Sequence, residues 1–485
     1  MLLNKKGDVL QMSTQKDAIY NARELGIPKM LVLGFQHVFA MFGATVLVPL
    51  LTGLDIATTL LMAGLGTLLF HLIAKGKVPA FLGSSFAFLG GYAAVAPLAG
   101  NGEMTNAELL PYACLGVGFA GLVYLILAAL IKLVGINKVM KFFPPIVTGP
   151  IIICIGLGLA GSAVNNCTSN WLVAIIALAI VVIFNIWGKG MAKIIPILLG
   201  VVGSCLVAAI LAIVWGAPAV DGSGFIAIAG NPSFKLFSID ALNQLKEAAW
   251  IGVPVKWNGT VFGGIEWSNT SLIISSIIAI VPISLATMME HIGDISAIGS
   301  TVGKNFIAEP GLHRTLMGDG LATTLSALFG GPANTTYGEN TGVLALSKVY
   351  DPKVIRIAAV IAVILSLSPK FAAVVNLIPT AVIGGISFIL YGMISAIGVR
   401  NIVENKVDFT KSRNLIIAAV ILVSALGLGN AATFTIGSVT ISLSALAVAS
   451  ILGIVLNAIL PGKDYEFGKD LQGDTAVNFG TRNDG

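Results

Sequence analysis

The sequence predicts an all-α polytopic membrane protein, with about fourteen transmembrane segments in two inverted repeats of about seven. Three observations carry this. Of its 485 residues, 56% are hydrophobic and only 11% charged, against roughly a quarter charged in soluble domains. The charges are excluded from long stretches rather than diluted. The 28 lysines and arginines also fall unevenly on the two sides of the membrane.

A spanning helix takes about 20 mostly apolar residues. In the first half, Leu31–Thr52, Ala57–Ala74, Leu109–Ile131, Phe142–Ala163, Trp171–Trp187 and Ile194–Trp215 fit. In the second half the segments are Ser271–Gly293, Leu312–Gly330, Ala333–Ser347, Val354–Lys370, Val374–Ile397, Asn414–Leu428 and Thr440–Leu460. Pro79–Pro97, rich in Gly and Ser, completes the first half as an interrupted third segment. With both termini cytoplasmic, every Lys and Arg except Lys235, Lys246, Lys256 and Lys370 lies on the inner side, as the positive-inside bias requires.

The chain therefore divides into a cytoplasmic N-terminus (1–28), a first repeat (29–216), an extracellular connection (217–270), a second repeat (271–462) and a cytoplasmic tail (463–485). Turn signals at Gly222, Gly224 and Asn231-Pro232, with an amphipathic piece Asp240–Trp250, make the connection an ordered one. Pro144-Pro145, Pro379 and Gly384-Gly385 offer bends or close helix contacts.

Several functions are excluded. No basic stripe with interleaved aromatics is present, so nucleic acid is not a partner. Cys114, Cys154, Cys167 and Cys205 lack CxxC spacing and read as membrane-buried thiols, not as a disulfide framework or zinc site. The polar N-terminus is no cleavable signal peptide. Glu290-His291-x-x-Asp294 is not HExxH spacing and only four histidines occur, so no metal or other cofactor is expected. No nucleophile–base set stands out, so the chain is not read as an enzyme.

Ionisable groups inside a bilayer are costly and mark function by default. Glu290 ends an uncharged run from Trp267, and Glu339 ends another from Gly320. Glu290 and Asp294, at i and i+4, share a helix face suited to proton relay, while His291 points elsewhere. Asp294 reads equally as the cytoplasmic end of its span. Asp319 reads as a helix cap or a partner of Arg314. Phe81–Phe88 and Gly330–Glu339 occupy matching places in the two repeats, and both are poor helix formers. Such paired interruptions mark a midplane binding site, read here as two short β-strands, each leading into a half-helix whose N–H groups face the centre. Carboxylates there accept N–H donors. Two confined together resist double ionisation, so one retains a proton and links transport to protonation. Phe86 offers a face for a flat ligand, and His37, after Gln36, lies beside small residues near the same centre.

At these residues the chain resembles the nucleobase–ascorbate transporter family, in its bacterial uracil-permease branch. The resemblance rests on Gln36-His37 with Phe39–Thr45, Pro79–Phe86, Glu290–Gly293, Pro310–Arg314, and Asn334–Asn340 running on through Thr341-Gly342 to Ser347-Lys348. It implies a core domain of spans one to four and eight to eleven (about 29–135 and 271–373). The rest, about 136–216 and 374–462, would form a gate domain. It implies proton-coupled uracil import across the plasma membrane, by movement of core against gate, in a protein that often dimerises. The substrate-binding set it implies is Glu290, Glu339, the backbone N–H groups of Gly338 and Glu339, Phe86 and Ala44, with Tyr337 alongside. Glu290, Asp294 and His37 would handle the proton. Relatives commonly carry His where Asp294 stands, which leaves sodium coupling open. Glu339 favours uracil over xanthine, since purine-transporting relatives tend to carry Gln there. An anion carrier of the same architecture would instead present a basic residue to its ligand.

Overall fold

The computed structural model describes residues 18–219, 224–428, 433–436 and 439–462. The side chains of Ala44 and Glu339, and the predicted tail, lie outside that description. The first half runs α1 (Gly26–Thr52), α2 (Ile56–Ile73), β1 (Leu82–Ser84), α3 (Leu89–Val95), α4 (Asn106–Val134), α5 (Pro145–Cys167), α6 (Trp171–Trp187) and α7 (Pro196–Trp215). The connection holds β2 (Gly216–Pro218), β3 (Phe225–Ile228), β4 (Asn231–Ser238) and α8 (Ile239–Glu247). The second half runs α9 (Thr270–Ile280), α10 (Ser284–Val302), α11 (Leu312–Leu328), β5 (Asn334–Thr336), α12 (Glu339–Ser347), α13 (Pro352–Ser366), α14 (Pro369–Asn376) and α15 (Thr380–Glu404). It ends with α16 (Ser412–Gly427), β6 (Thr433–Ile436), β7 (Val439–Ser442) and α17 (Ala445–Ile459).

Among the described residues, 7 helices are long and apolar enough to cross a membrane, and α13 with α14 forms a further pair bent by 87°. Large apolar side chains point outward, Ile213 at 84% exposure among them, which suits a surface solvated by lipid. The helices form two sets. In one, α4 lies on α11, α2 on α13 and α11, α1 on α13, and α9 on α4. In the other, α5 and α6 pack on α15, α7 on α6, and α16 on α5 and α17. The second set is drawn tight by glycine. A Cβ at Gly385 would stand 2.2 Å from the Ala174 carbonyl oxygen, so α15 can approach α6 this closely only without a side chain there. Pro145 sits in the first turn of α5, where its fixed φ favours helix initiation. It starts that helix rather than bending it.

Several boundaries depart from the sequence reading, and the one at the end of the eighth segment bears on the site. The eighth predicted segment ends at Gly293, but α10 runs on to Val302 and stops at Gly303, in left-handed conformation with φ 74. Ile295–Val302 holds neither charge nor proline to end it sooner. Asp294 is therefore a buried mid-helix residue, 8% exposed, and not the end of a span.

The connection is fastened at both sides. Lys235 N–H donates to Ser169 O (2.9 Å) before α6, while Lys256 pairs with Asp55 (3.0 Å) and Thr58 Oγ1 donates to Pro254 O (2.6 Å). Lys370, at the start of α14, donates from Nζ to Leu245 O (2.6 Å) and from its backbone to Ala249 O (2.9 Å).

At the other end of the bundle, residues 18–25 form a strap. Ile19 makes a parallel bridge to Val349, through Ile19 N to Lys348 O (2.9 Å) and Tyr350 N to Ile19 O (2.8 Å). Tyr20 Oη donates to Val302 O (2.8 Å) and its ring meets Tyr350 edge-on at 5.5 Å. Asp351 accepts from Ala22 N–H (2.8 Å) and from Lys353 N–H (2.9 Å) at the head of α13. Burial pushes the Asp351 carboxyl up, but the Lys353 and Ala22 N–H groups and the Lys353 ammonium outweigh it and hold it below its ordinary 3.8. A lowered folded value means stabilisation that is complete above the unfolded value and lost as pH falls through the folded one. Asp351→Ala should therefore speed amide exchange across residues 18–25 about tenfold at pH 7. In the wild type, corrected for intrinsic rates, hydrogen-exchange mass spectrometry should show the strap protected down to pH 3.8 and released only below it.

Candidate functional site

Both interrupted segments carry a cluster of poor helix formers, Gly83-Ser84-Ser85 and Gly330-Gly331-Pro332, and in the structure they are the places where the helices stop. Strands β1 and β5 pair antiparallel, Leu82 with Thr336, Gly83 with Thr335 and Ser84 with Asn334, and every residue of both is buried. Ser85 N–H to Ala333 O (3.0 Å) and Tyr337 N–H to Phe81 O (2.9 Å) extend the ladder at either end. Two strands leave outer edges that must also be satisfied. Thr67 of α2 accepts from Leu82 N–H (2.9 Å) and reaches Leu82 O (3.2 Å). Thr323 of α11 donates to Asn334 O (2.6 Å), and Asn334 Nδ2 to Met62 O (2.6 Å). Side-chain hydroxyls of the flanking helices thus stand in for a third and fourth strand, and the Asn334 amide of β5 itself anchors the pair to α2.

Tyr337 locks the pair. Its hydroxyl donates to Ser84 O (2.9 Å) and lies 3.2 Å from Thr45 Oγ1 of α1. Its ring covers Gly83, where an added Cβ would come within 2.5 Å of it. The next residues start α12, so the N–H groups of Gly338 and Glu339 belong to a helix start, where donors lack intrahelical partners. Asn340 Nδ2 reaches His37 Nδ1 (3.1 Å) and His37 O (3.2 Å). The two side chains, each 1% exposed, pin α12 to α1. This contact places His37 beside the residue that follows Glu339.

The helix carrying Glu290 packs against both β5 and α12. Glu290 is half-buried, and His291 and Asp294 are buried. From α4, the Tyr124 hydroxyl donates to Thr287 Oγ1 (2.6 Å) and lies within electrostatic reach of Asp319, Glu290 and Asp294. Asp319 corrects the sequence reading. It lies fully buried in the middle of α11, accepts from Thr336 Oγ1 (3.2 Å) and approaches His291 Nδ1 (3.4 Å). It neither caps the helix nor meets Arg314, whose Nη1 donates instead to Ile73 O (3.4 Å). Since α11 begins at Leu312, Asp319 stands about two turns in, which carries the acid from the helix end into the bundle.

Phe86, 8% exposed, faces the second helix set. Its ring meets Tyr391 of α15 edge-on, with centroids 6.1 Å apart at 80°. Sequence reasoning missed Tyr391, which is embedded in an uninterrupted apolar run. Ser84, Ser85 and Thr341 each hold a buried hydroxyl oxygen without a hydrogen-bond partner. Buried polar groups are normally paired, so this junction offers hydrogen-bonding capacity to a polar ligand. A separate crevice of about 570 Å³ opens between Val32 and Gln36 of α1, the strap, Leu346-Ser347 and the facing Gly190-Met191. All four cysteines are free thiols.

A buried polar junction within a bundle of membrane-crossing helices suits a transport protein, and comparison with known proteins agrees. Residues 28–436 match the Permease family. The chain is 39% identical over 447 residues to the uracil permease of Bacillus caldolyticus, covering 90% of this chain and 93% of that one. It is 39% identical over 454 residues to that of Bacillus subtilis strain 168, at 91% and 93% coverage. The uracil permease of Escherichia coli K12 is 36% identical over 439 residues, at 88% and 90%. Among solved structures, the transmembrane domain of the cyanobacterium bicarbonate transporter BicA matches with TM-score 0.60 at 15% identity, over 91% of this chain and 99% of that one. SLC26A9 matches with TM-score 0.61 at 12% identity, over 91% and 66%. The protein is a multi-pass membrane transporter and not an enzyme. It belongs to the Permease family.

Tyr337→Phe should leave the ring on Gly83 and remove the Ser84 and Thr45 contacts, costing about 1–3 kcal/mol of stability. A fall in Tm in a thermal scan of the purified protein checks this.

Proposed function

We propose that this transporter imports uracil by proton symport across the cell membrane, with both termini in the cytoplasm. The observation that carries the reading is the meeting of α10, which holds Glu290, with the β5–α12 junction, in a chain 36–39% identical to uracil permeases along most of its length. Uracil offers two N–H donors and two carbonyl acceptors on a flat ring. Glu290 and Glu339 accept its N–H groups, the helix-start N–H groups at Gly338 and Glu339 serve a carbonyl, and Phe86 covers the ring, with Ala44 and Tyr337 nearby. Protonation passes through Glu290 and Asp294, with His37 completing the set.

The fourteen-span plan then sorts the chain into a core domain (about 29–135 and 271–373) and a gate domain (about 136–216 and 374–462). The contact of Phe86 with Tyr391 lies between them. The 570 Å³ crevice, bounded by α1 and α12 on one side and Gly190-Met191 on the other, serves as the inner mouth in alternating access. The fold shared with bicarbonate and SLC26 transporters does not favour an anion substrate. Identity of 10–15% speaks for the fold alone, and the charged side chains nearest the centre are acids. The chain is further proposed to dimerise through the gate domain.

Uptake of labelled uracil by cells lacking their own permease tests this. Glu290→Gln should lower uptake at least tenfold, and a protonophore should abolish wild-type uptake. Asp294→Asn should flatten the pH dependence. Uptake of xanthine but not uracil overturns the substrate, and sodium-dependent uptake that survives the protonophore overturns proton coupling.

A further inference from the structure

A buried group that the transport reading leaves unused is His291. It follows Glu290 directly but faces away from it, toward β5. His291 Nδ1 lies 2.8 Å from Thr336 Oγ1. The single hydroxyl proton of Thr336 is directed at Asp319 Oδ1 (3.2 Å), so Thr336 Oγ1 accepts from His291 Nδ1–H. Asp319 Oδ2, 3.4 Å from the same nitrogen, closes the triangle. The His291 and Asp319 side chains have no exposed surface, and the Phe70 ring seals His291 edge-on at 6.4 Å. Three elements meet in this triangle: α10, α11 and β5. One corner is the neighbour of Glu290, and another lies three residues before Glu339 on a strand that runs straight into α12.

We propose that His291, acting through Thr336, is a positioning residue that fixes how far Glu290 stands from the N–H groups at Gly338 and Glu339, with Asp319 orienting the Thr336 hydroxyl. This rests on the reading of those groups as the substrate site. Hydrogen-bonding recognition tolerates displacements of only a few tenths of an ångström, and a buried bond that sets the gap acts on affinity without touching the ligand.

The test is equilibrium binding of labelled uracil to the purified full-length protein, with Tm recorded for each variant. Thr336→Val, which keeps shape and loses the hydroxyl, and His291→Phe should each weaken Kd about tenfold. The double variant should be no weaker than the weaker single, since both remove the same His291–Thr336 bond. Thr336→Ser restores the hydroxyl, and His291→Asn places an amide N–H where Nδ1–H stood, so both should bind within about threefold of wild type. Wild-type Kd in Thr336→Val with only Tm lowered, or single effects that multiply in the double, overturns the proposal. Should His291→Phe not be recovered monodisperse, the Thr336 variants decide alone, and equal Kd for Val and Ser overturns it. Wild-type protein that binds no uracil refutes the substrate reading itself and this proposal with it.

Discussion

The structure depends on satisfying non-helical backbone where water is scarce. A helix meets its own hydrogen bonds, but three extended residues at mid-bundle cannot. Here β1 and β5 supply each other's inner edge, Thr67 and Thr323 supply the outer ones, and Asn334 anchors β5 to α2. That requirement decides which helices must touch. Helix α2 has to present Thr67 and the Met62 carbonyl, α11 has to present Thr323, and α1 has to present Thr45 to Tyr337. The close packing of α2 against α11 and α13 therefore serves the strands as much as it buries apolar surface.

The strands in turn supply what a continuous helix lacks, a helix start in the interior, whose first N–H groups have no intrahelical partner. Around it the polar contacts form a cage with one side toward α15. Asn340 ties α12 to His37, Tyr337 ties β1 to α1, and Thr336 ties β5 to α10 and α11. The remaining side meets the other helix set at Phe86 and Tyr391.

Much of this was legible in the sequence for a definite reason. Membrane segments announce themselves by excluding charge, and Gly83-Ser84-Ser85 and Gly330-Gly331-Pro332 stand out against apolar neighbours because they favour helix so poorly. Glu290 was legible because a carboxylate is conspicuous after an uncharged run. What could not be read was direction. Asp319 looks like a residue near a helix end until α11 is seen to start at Leu312 and turn it toward β5. Asp294 looks like a span terminus until α10 is followed to Gly303. His291 and Tyr391 carried no usable signal, since one is overshadowed by its acidic neighbour and the other is one aromatic in an apolar run. The pairing of Asn340 with His37 joins residues 303 positions apart, and no local pattern encodes it.

The strand pairing also bears on how the chain is made. Ser84 and Tyr337 are 253 residues apart, and the strap at Ile19 waits for Val349. A ribosome releases the N-terminal elements first, so β1 enters the membrane long before its partner has been synthesised. Until β5 emerges, its inner edge must be solvated by insertion machinery, by lipid headgroups or by water held between early helices. The first half of the chain is therefore not a finished unit awaiting the second. Biogenesis closes late, and a chain truncated before residue 334 would hold an open strand edge that quality-control proteases can recognise.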